Sequence, residues 1–311
     1  MIYDFALEPA AVASWSERTD FGYFIEKFSL GEPRRFACYP GRYKVWKQAV
    51  MEAAREQGVS GKGKARLAEL LKLFNKSSVK IVRNDAEYDE SLNWFENTSQ
   101  IKERPVTFHA LILHKPASDQ NNVIASDQSS CSLHPLWKKP RAVRVNRTAN
   151  NLSDAVHSLL RFSSKIVFVD PHFGPKKRYW KSFEKLFEAI MKNRVSINPP
   201  LVEIHSEDKG WTQGQFIIDC KLRFGPLIPE GLKVRFVRLT ETVNEDELHD
   251  RFILTNLGGV DVSVGLDINT HNPSAKTKIS LLESGVFQEY WDDYVLNPVF
   301  KMAYEFELSK T

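Results

Sequence analysis

The sequence predicts an α/β fold, a mixed sheet flanked by helices, preceded by an N-terminal α+β domain. Three observations carry this. From Asn151 onward, apolar runs of strand length alternate with stretches at helical spacing, which is the texture of a sheet covered on both faces. Residues 248–267, L-H-D-R-F-I-L-T-N-L-G-G-V-D-V-S-V-G-L-D, alternate polar and apolar on either side of Asn256-Leu257-Gly258-Gly259 and read as a β-hairpin with one polar face. A chain of 311 residues, 42% hydrophobic and 26% charged, has the composition of a globular protein and room for two cores. We place these at 1–145 and 146–311.

Taken in order, residues 1 to about 30 form a short irregular or helical lead-in whose rings, Phe5, Trp15, Phe21, Tyr23, Phe24 and Phe28, serve packing. Arg34-Arg35-Phe36, Tyr39, Arg42-Tyr43-Lys44 and Trp46-Lys47 then mix cations with rings. Such a mixture can clamp phosphates and stack bases. The preferred reading is that Trp46, Val50 and Ala54 form the buried stripe of a helix whose other face carries the cations. Pro40-Gly41 breaks the chain, Tyr43–Gln57 is helical and Gly58 closes it. Gly58–Lys64 reads as a flexible basic loop whose G-K-G-K lacks the Walker A spacing, so it excludes that mode of nucleotide binding. Ala65–Phe74 is a second helix, Val79–Val82 a strand, Tyr88–Asn97 a helix and Val106–Leu113 a strand. Lys115–Lys139, with Asp119-Gln120-Asn121-Asn122 and Asp127-Gln128-Ser129-Ser130, is turn-rich and marks the boundary region.

In the second half, Ser153-Asp154 caps a helix to Phe162, and Lys165–Asp170 is a strand that is apolar until its final residues. Arg178–Lys192 is an amphipathic helix, Leu201–His205 a strand, Thr212–Arg223 a helix and Leu232–Leu239 a strand. The hairpin follows, then a strand at Thr277–Leu282 and an aromatic helix at Val286–Tyr294.

A net charge of +4, from 43 Lys and Arg against 39 Asp and Glu, is too small to mark a nucleic-acid binder by itself. Distribution decides instead, and Lys138–Arg147 and Lys176-Lys177-Arg178 are basic concentrations. Cys38, Cys131 and Cys220 are too scattered for a disulfide framework or a zinc knuckle, which fits a reducing cytoplasm. Met1–Trp15 carries Asp4 and Glu8 and lacks a basic start, so no signal peptide is expected. No run reaches the roughly 18 apolar residues of a membrane span.

The hairpin also holds the chemistry. Side chains alternate along a strand, so His249 and Arg251 share a face. With a three-residue loop at Leu257–Gly259, Asp267 lies opposite His249 and Gly265 opposite Arg251, gathering imidazole, guanidinium and carboxylate into one concavity. A two-residue loop would set Leu266 and Val264 there and dissolve the cluster.

The order of three short motifs is recognisable. Val167-Phe168-Val169-Asp170-Pro171-His172-Phe173, then His249-Asp250-Arg251 about 80 residues on, then Gly265-Leu266-Asp267 resemble the phospholipase D-like superfamily over residues 151 to about 300. Within that superfamily the hairpin is most similar to the C-terminal phospholipase D-like domain of MIT-domain proteins. The first 145 residues resemble no family. The resemblance implies a metal- and cofactor-independent phosphodiesterase or nuclease with an H-x-K-x4-D motif, paired across repeats or subunits. On that pattern His249 is the nucleophile, Arg251 replaces the lysine and Asn256 replaces the aspartate. An attacking imidazole needs its proton position fixed by a partner on the other nitrogen, and Asp267 is the carboxylate expected to supply it. Arg251 still suits phosphate oxygens but stays charged, so the leaving oxygen needs an acid from a twofold-related His249 or from His172.

Phosphate contacts are expected from His172, Asp170, Ser263, Lys176 and Lys177. Three readings stay open: a dimeric nuclease, by analogy in bacterial antiviral defence; a non-catalytic module binding nucleic acid, anionic lipid or a protein partner; and a purely structural ion network.

Overall fold

The computed structural model describes residues 1–83, 87–100, 108–116, 121–127, 132–194, 196, 198–242 and 248–310. The expected strand start at Val106, the polar runs 119–120 and 128–130, and Cys131 lie outside these residues. The chain divides into two compact units, Ile2–Pro140 and Arg141–Thr311 with Met1. The division falls five residues before the expected one, because Ala142 already begins a strand of the second sheet.

The first unit is built on a five-stranded sheet in the order β3-β2-β1-β4-β5, from β1 (Tyr3–Leu7), β2 (Arg34–Cys38), β3 (Lys80–Val82), β4 (Ala110–Leu113) and β5 (Val123–Ala125). Every pairing is parallel, so this unit is α/β in arrangement rather than α+β. Its helices are α1 (Pro9–Ser14), α2 (Arg18–Lys27), α3 (Tyr43–Glu56), α4 (Gly61–Phe74) and α5 (Trp94–Gln100). Thus G-K-G-K runs into the first turn of α4, and the helix expected from Tyr88 begins at Trp94.

The lead-in rings build the core. Trp15 stacks on Phe24 with centroids 3.6 Å apart, and its indole N–H donates to the Ser126 carbonyl at 3.0 Å, so a large ring is buried with its one polar atom satisfied. Trp46, Val50 and Ala54 are the buried stripe of α3. Arg34 and Arg35 form no phosphate clamp. Both are buried in β2, the Arg34 guanidinium lies 4.3 Å from the Trp137 ring, and burial brings Arg35 down to about 10.

The second unit holds an eight-stranded sheet in the order β13-β9-β8-β7-β10-β11-β12-β6. Its strands are β6 (Ala142–Asn146), β7 (Lys165–Val169), β8 (Leu201–Glu207), β9 (Lys233–Thr242), β10 (Phe252–Thr255), β11 (Gly258–Val262), β12 (Lys276–Leu281) and β13 (Phe300–Ser309). Only the β7, β8 and β9 pairings are parallel, which makes the sheet mixed. Its helices are α6 (Ala149–Phe162), α7 (Lys177–Met191), α8 (Gln213–Phe224) and α9 (Ser284–Trp291). Phe168, Phe173, Phe183, Phe224 and Phe236 interlock between the sheet and α7 and α8, at centroid distances from 5.1 Å (Phe168–Phe183) to 6.1 Å (Phe183–Phe224). Tyr290 of α9 covers Phe252 on the other face at 4.1 Å.

The hairpin adopts neither expected register. Thr255 pairs with Gly258 and Phe252 with Asp261, so the turn is Asn256-Leu257 and Arg251 stands across from Val262, whose N–H it accepts at 2.9 Å. Asn256 holds this turn in place: its Oδ1 accepts the Ser164 N–H at 2.8 Å and the Lys165 N–H at 3.3 Å, tying the turn to the start of β7.

Candidate phosphate-binding site

Three elements meet at one end of the strands in the middle of the second sheet. β7 ends at Val169 and delivers Asp170; β10 runs antiparallel to it and begins at Phe252, so Arg251 enters at the same level; and the chain leaving β11 turns back through Gly265. Gly265 has φ +119°, and a side chain built on it would place its Cβ 3.1 Å from Asp170 Oδ2, 3.3 Å from Asp267 Oδ1 and 3.4 Å from Arg251 Cδ. Only glycine combines that backbone with that space. Asp170, Arg251 and Asp267 therefore do converge, through a turn rather than through strand pairing.

Asp170 is buried with its oxygens committed. Oδ1 accepts the His172 N–H at 3.0 Å and the Tyr179 hydroxyl at 3.3 Å, and Oδ2 accepts the Leu266 N–H at 2.9 Å. Burial raises its pKa, opposed by the Leu266 and His172 bonds and the Arg251 charge. It is a scaffold that fixes the loop after β7 and the turn after β11, in place of the phosphate contact expected of it.

Asp267 is buried and braces two arginines from distant parts of the chain. Arg147 Nη2 donates to Oδ1 at 2.5 Å, and Arg178 Nε stands 3.3 Å from Oδ2. Backbone bonds from Ile268 N–H to the Arg178 carbonyl (3.1 Å) and from Asn269 N–H to the Arg147 carbonyl (3.0 Å) lock the same segment between the two helix starts.

Beyond these arginines opens a cavity of about 650 Å³ lined by Arg147, Lys176, Lys177, Arg178 and Lys181, by residues 268–271 and Pro273, and by Thr148 and Ala149. Among the described residues no carboxylate lines it. Thr148 and Ala149 begin α6, and Lys176 to Arg178 begin α7, so the positive ends of two helices meet there. Thr148 Oγ1 caps α6 by accepting the Asn151 N–H, whereas no side chain caps α7. Lys176 also lies 5.1 Å over the Trp211 ring, and that ring fills the space a side chain at Gly174 would need.

Of the residues expected at the site, Asp170, Arg251 and Asp267 surround Gly265, and Lys176 and Lys177 line the cavity. His249 is exposed in the segment before β10 rather than on the strand, and Asp267 carries arginines on both oxygens where an imidazole partner was expected. Asn256 sits at the far turn of the hairpin, away from the cluster. Ser263 is exposed; its Oγ accepts the Lys278 N–H at 3.2 Å, securing the end of β11 against β12. His172 is exposed and contributes its backbone N–H to Asp170. Lys181, Tyr179 and His271 went unread. Lys177 and Lys181 stand one turn apart on α7, a spacing visible in the sequence.

No family model matches the chain, and no curated protein does. A solved structure of TrmBL2, an archaeal chromatin protein with a DNA-binding mode of its own, aligns at a TM-score of 0.29 and 11% identity, covering 55% of this chain and 56% of that protein. The chain thus spans about half the length of that protein, and so loose a superposition carries no argument about fold or function.

Proposed function

We propose that residues 141–311 form a phospholipase D-like unit that recognises phosphate groups of nucleic acid at the cavity between the starts of α6 and α7. One observation carries the reading: five cationic side chains and no carboxylate line a concavity onto which two helix N-termini open. Guanidinium groups held from behind by Asp267 keep their outer N–H donors aimed at a ligand, and a planar fork of donors matches phosphate oxygens. The resemblance supplies the substrate class, and the cavity supplies the physical means of holding it.

A second reading, a metal-independent phosphodiesterase acting as a dimer, is favoured by the gathering of Asp170, Arg251 and Asp267 at the strand ends, where α/β sheets place their chemistry. In that reading His249 attacks phosphorus and Arg251 holds the phosphate oxygens. A place in bacterial defence rests on this second reading.

Labelled single- and double-stranded nucleic acid incubated with the protein in EDTA separates the two. Binding without cleavage, lost in Lys177→Ala/Lys181→Ala, supports recognition; cleavage abolished by His249→Ala supports the enzyme. Flotation with anionic vesicles and no binding to either nucleic acid would replace both with a lipid-binding module.

A further inference from the structure

The first unit carries a second concavity of one charge sign. Between α3 and α4 lies a groove of about 380 Å³ lined by the buried Leu71, by the exposed Met51 and Ala68, and at its rim by the exposed Lys47, Lys64 and Lys72. Tyr43, Lys47 and Met51 recur every fourth residue on α3, as do Lys64, Ala68 and Lys72 on α4, so each helix turns one stripe toward the groove. Lys64 and Lys72 are eight residues apart, about 12 Å along the axis. Among the described residues none of the three rim lysines forms an ion pair, and the helices' own Glu52, Glu56 and Glu69 lie outside the lining. Tyr43 closes one end: its hydroxyl donates to the Leu71 carbonyl. Lys80, 4.9 Å over the Tyr43 ring, adds a fourth ammonium beside that end.

We infer that this groove binds a single strand of nucleic acid through its phosphates, as a contact separate from the cavity of the second unit. The sign and spacing of the charge identify the ligand. Three unpaired ammonium groups around a trough create a field that a polyanion neutralises with release of its counterions. The trough is concave, and Met51 and Ala68 reach solvent between the lysines while Leu71 is buried beneath them, a mixture of cations and small apolar surface that suits one flexible strand. Lysines present point charges without a fixed fork, so the contact is to backbone phosphate and indifferent to base sequence.

The test uses the full chain and a fluorescein-labelled oligothymidine, with anisotropy titrations across a salt series. Lys47→Ala/Lys64→Ala/Lys72→Ala should lower the slope of log affinity against log salt by about 2, since each phosphate contact on a single strand contributes about 0.7. A control losing equal charge elsewhere, Lys62→Ala/Lys221→Ala/Lys301→Ala, should leave the slope within error. Equal slopes for the two triple variants, or binding of the wild type to phosphatidylserine vesicles and not to the oligonucleotide, would overturn the inference. Lys177→Ala/Lys181→Ala leaves the groove intact, so loss of the cavity contact and loss of the groove contact are read from different variants.

Discussion

The two basic concavities differ in what stands behind the charge. In the second unit, Arg147 and Arg178 are pinned by the buried carboxylate of Asp267, and Asp170 holds the neighbouring turns. In the first unit, Lys47, Lys64 and Lys72 rim a groove with no carboxylate in its lining. The first unit does own a buried ion pair, Asp4 with Arg83 at 2.8 Å, but that pair is sealed: neither side chain is more than 4% exposed. The same bond therefore serves two purposes. Where both partners are enclosed it is architecture, and where the arginines reach a cavity the carboxylate braces side chains that line it, as the proposed binding would require. Braced arginines set directions for a ligand; unbraced lysines set only a field.

Removing the brace should have the largest effect. Asp267→Ala leaves the mostly buried Arg147 without its counter-charge and is expected to cost about 3 kcal/mol in urea unfolding. Lys47→Ala/Lys64→Ala/Lys72→Ala, all exposed, should cost less than about 1 kcal/mol in the same assay. Equal losses would erase the distinction between the two sites. Gly265→Ala should follow closely at about 2 kcal/mol, because its positive φ and the oxygens of Asp170 and Asp267 leave no place for a methyl group.

Acid titration sharpens the comparison within the second sheet. Burial would raise Glu203, but the His205 hydrogen bond and charge and Lys165 outweigh it and bring its pKa from 4.5 to about 2. A depressed carboxylate stabilises the fold above its unfolded value, and that contribution, roughly 2–3 kcal/mol, is lost as pH falls from about 4.5 towards 2. Asp170 has the opposite sign. Its raised pKa means the folded protein favours the protonated form, so its contribution is present below 3.8 and lost as pH rises through the raised value. Glu203→Gln should flatten the acid limb of stability against pH, and Asp170→Asn should steepen it, in thermal melts taken across the acid range. The smallest effect concerns specificity: inorganic phosphate should compete for the cavity more effectively than an equal ionic strength of chloride, and should show no such preference at the groove.

Much of the fold was legible where periodicity was strong. The stripe of α3 and the amphipathic α7 stand out because apolar residues recur at helical spacing over fourteen and fifteen residues. β1 and β2 did not, because Y-D-F-A-L and R-R-F-A-C bury charged residues whose partners, such as Arg83 for Asp4, lie far along the chain. β13, ten residues at the sheet edge, shows weak burial alternation interrupted by a bulge. The cluster expected from strand pairing was His249, Arg251 and Asp267; Arg251 and Asp267 instead lie around Gly265 with Asp170, and His249 stands outside. Asn256-Leu257-Gly258-Gly259 permits several turns, and nothing local shows that Asn256 is held by the backbone of Ser164 and Lys165. The brace itself joins residues 120 positions apart, a pairing that local spacing has no means of expressing.

The most direct test of the cavity is an anisotropy titration of labelled oligonucleotide against the full chain in EDTA, comparing wild type with Lys177→Ala/Lys181→Ala. Both lysines line the cavity and neither pairs with Asp267, so stability should be unchanged while affinity falls roughly tenfold and the salt slope decreases. Unchanged affinity and slope in a fully folded double variant would contradict phosphate recognition at this site.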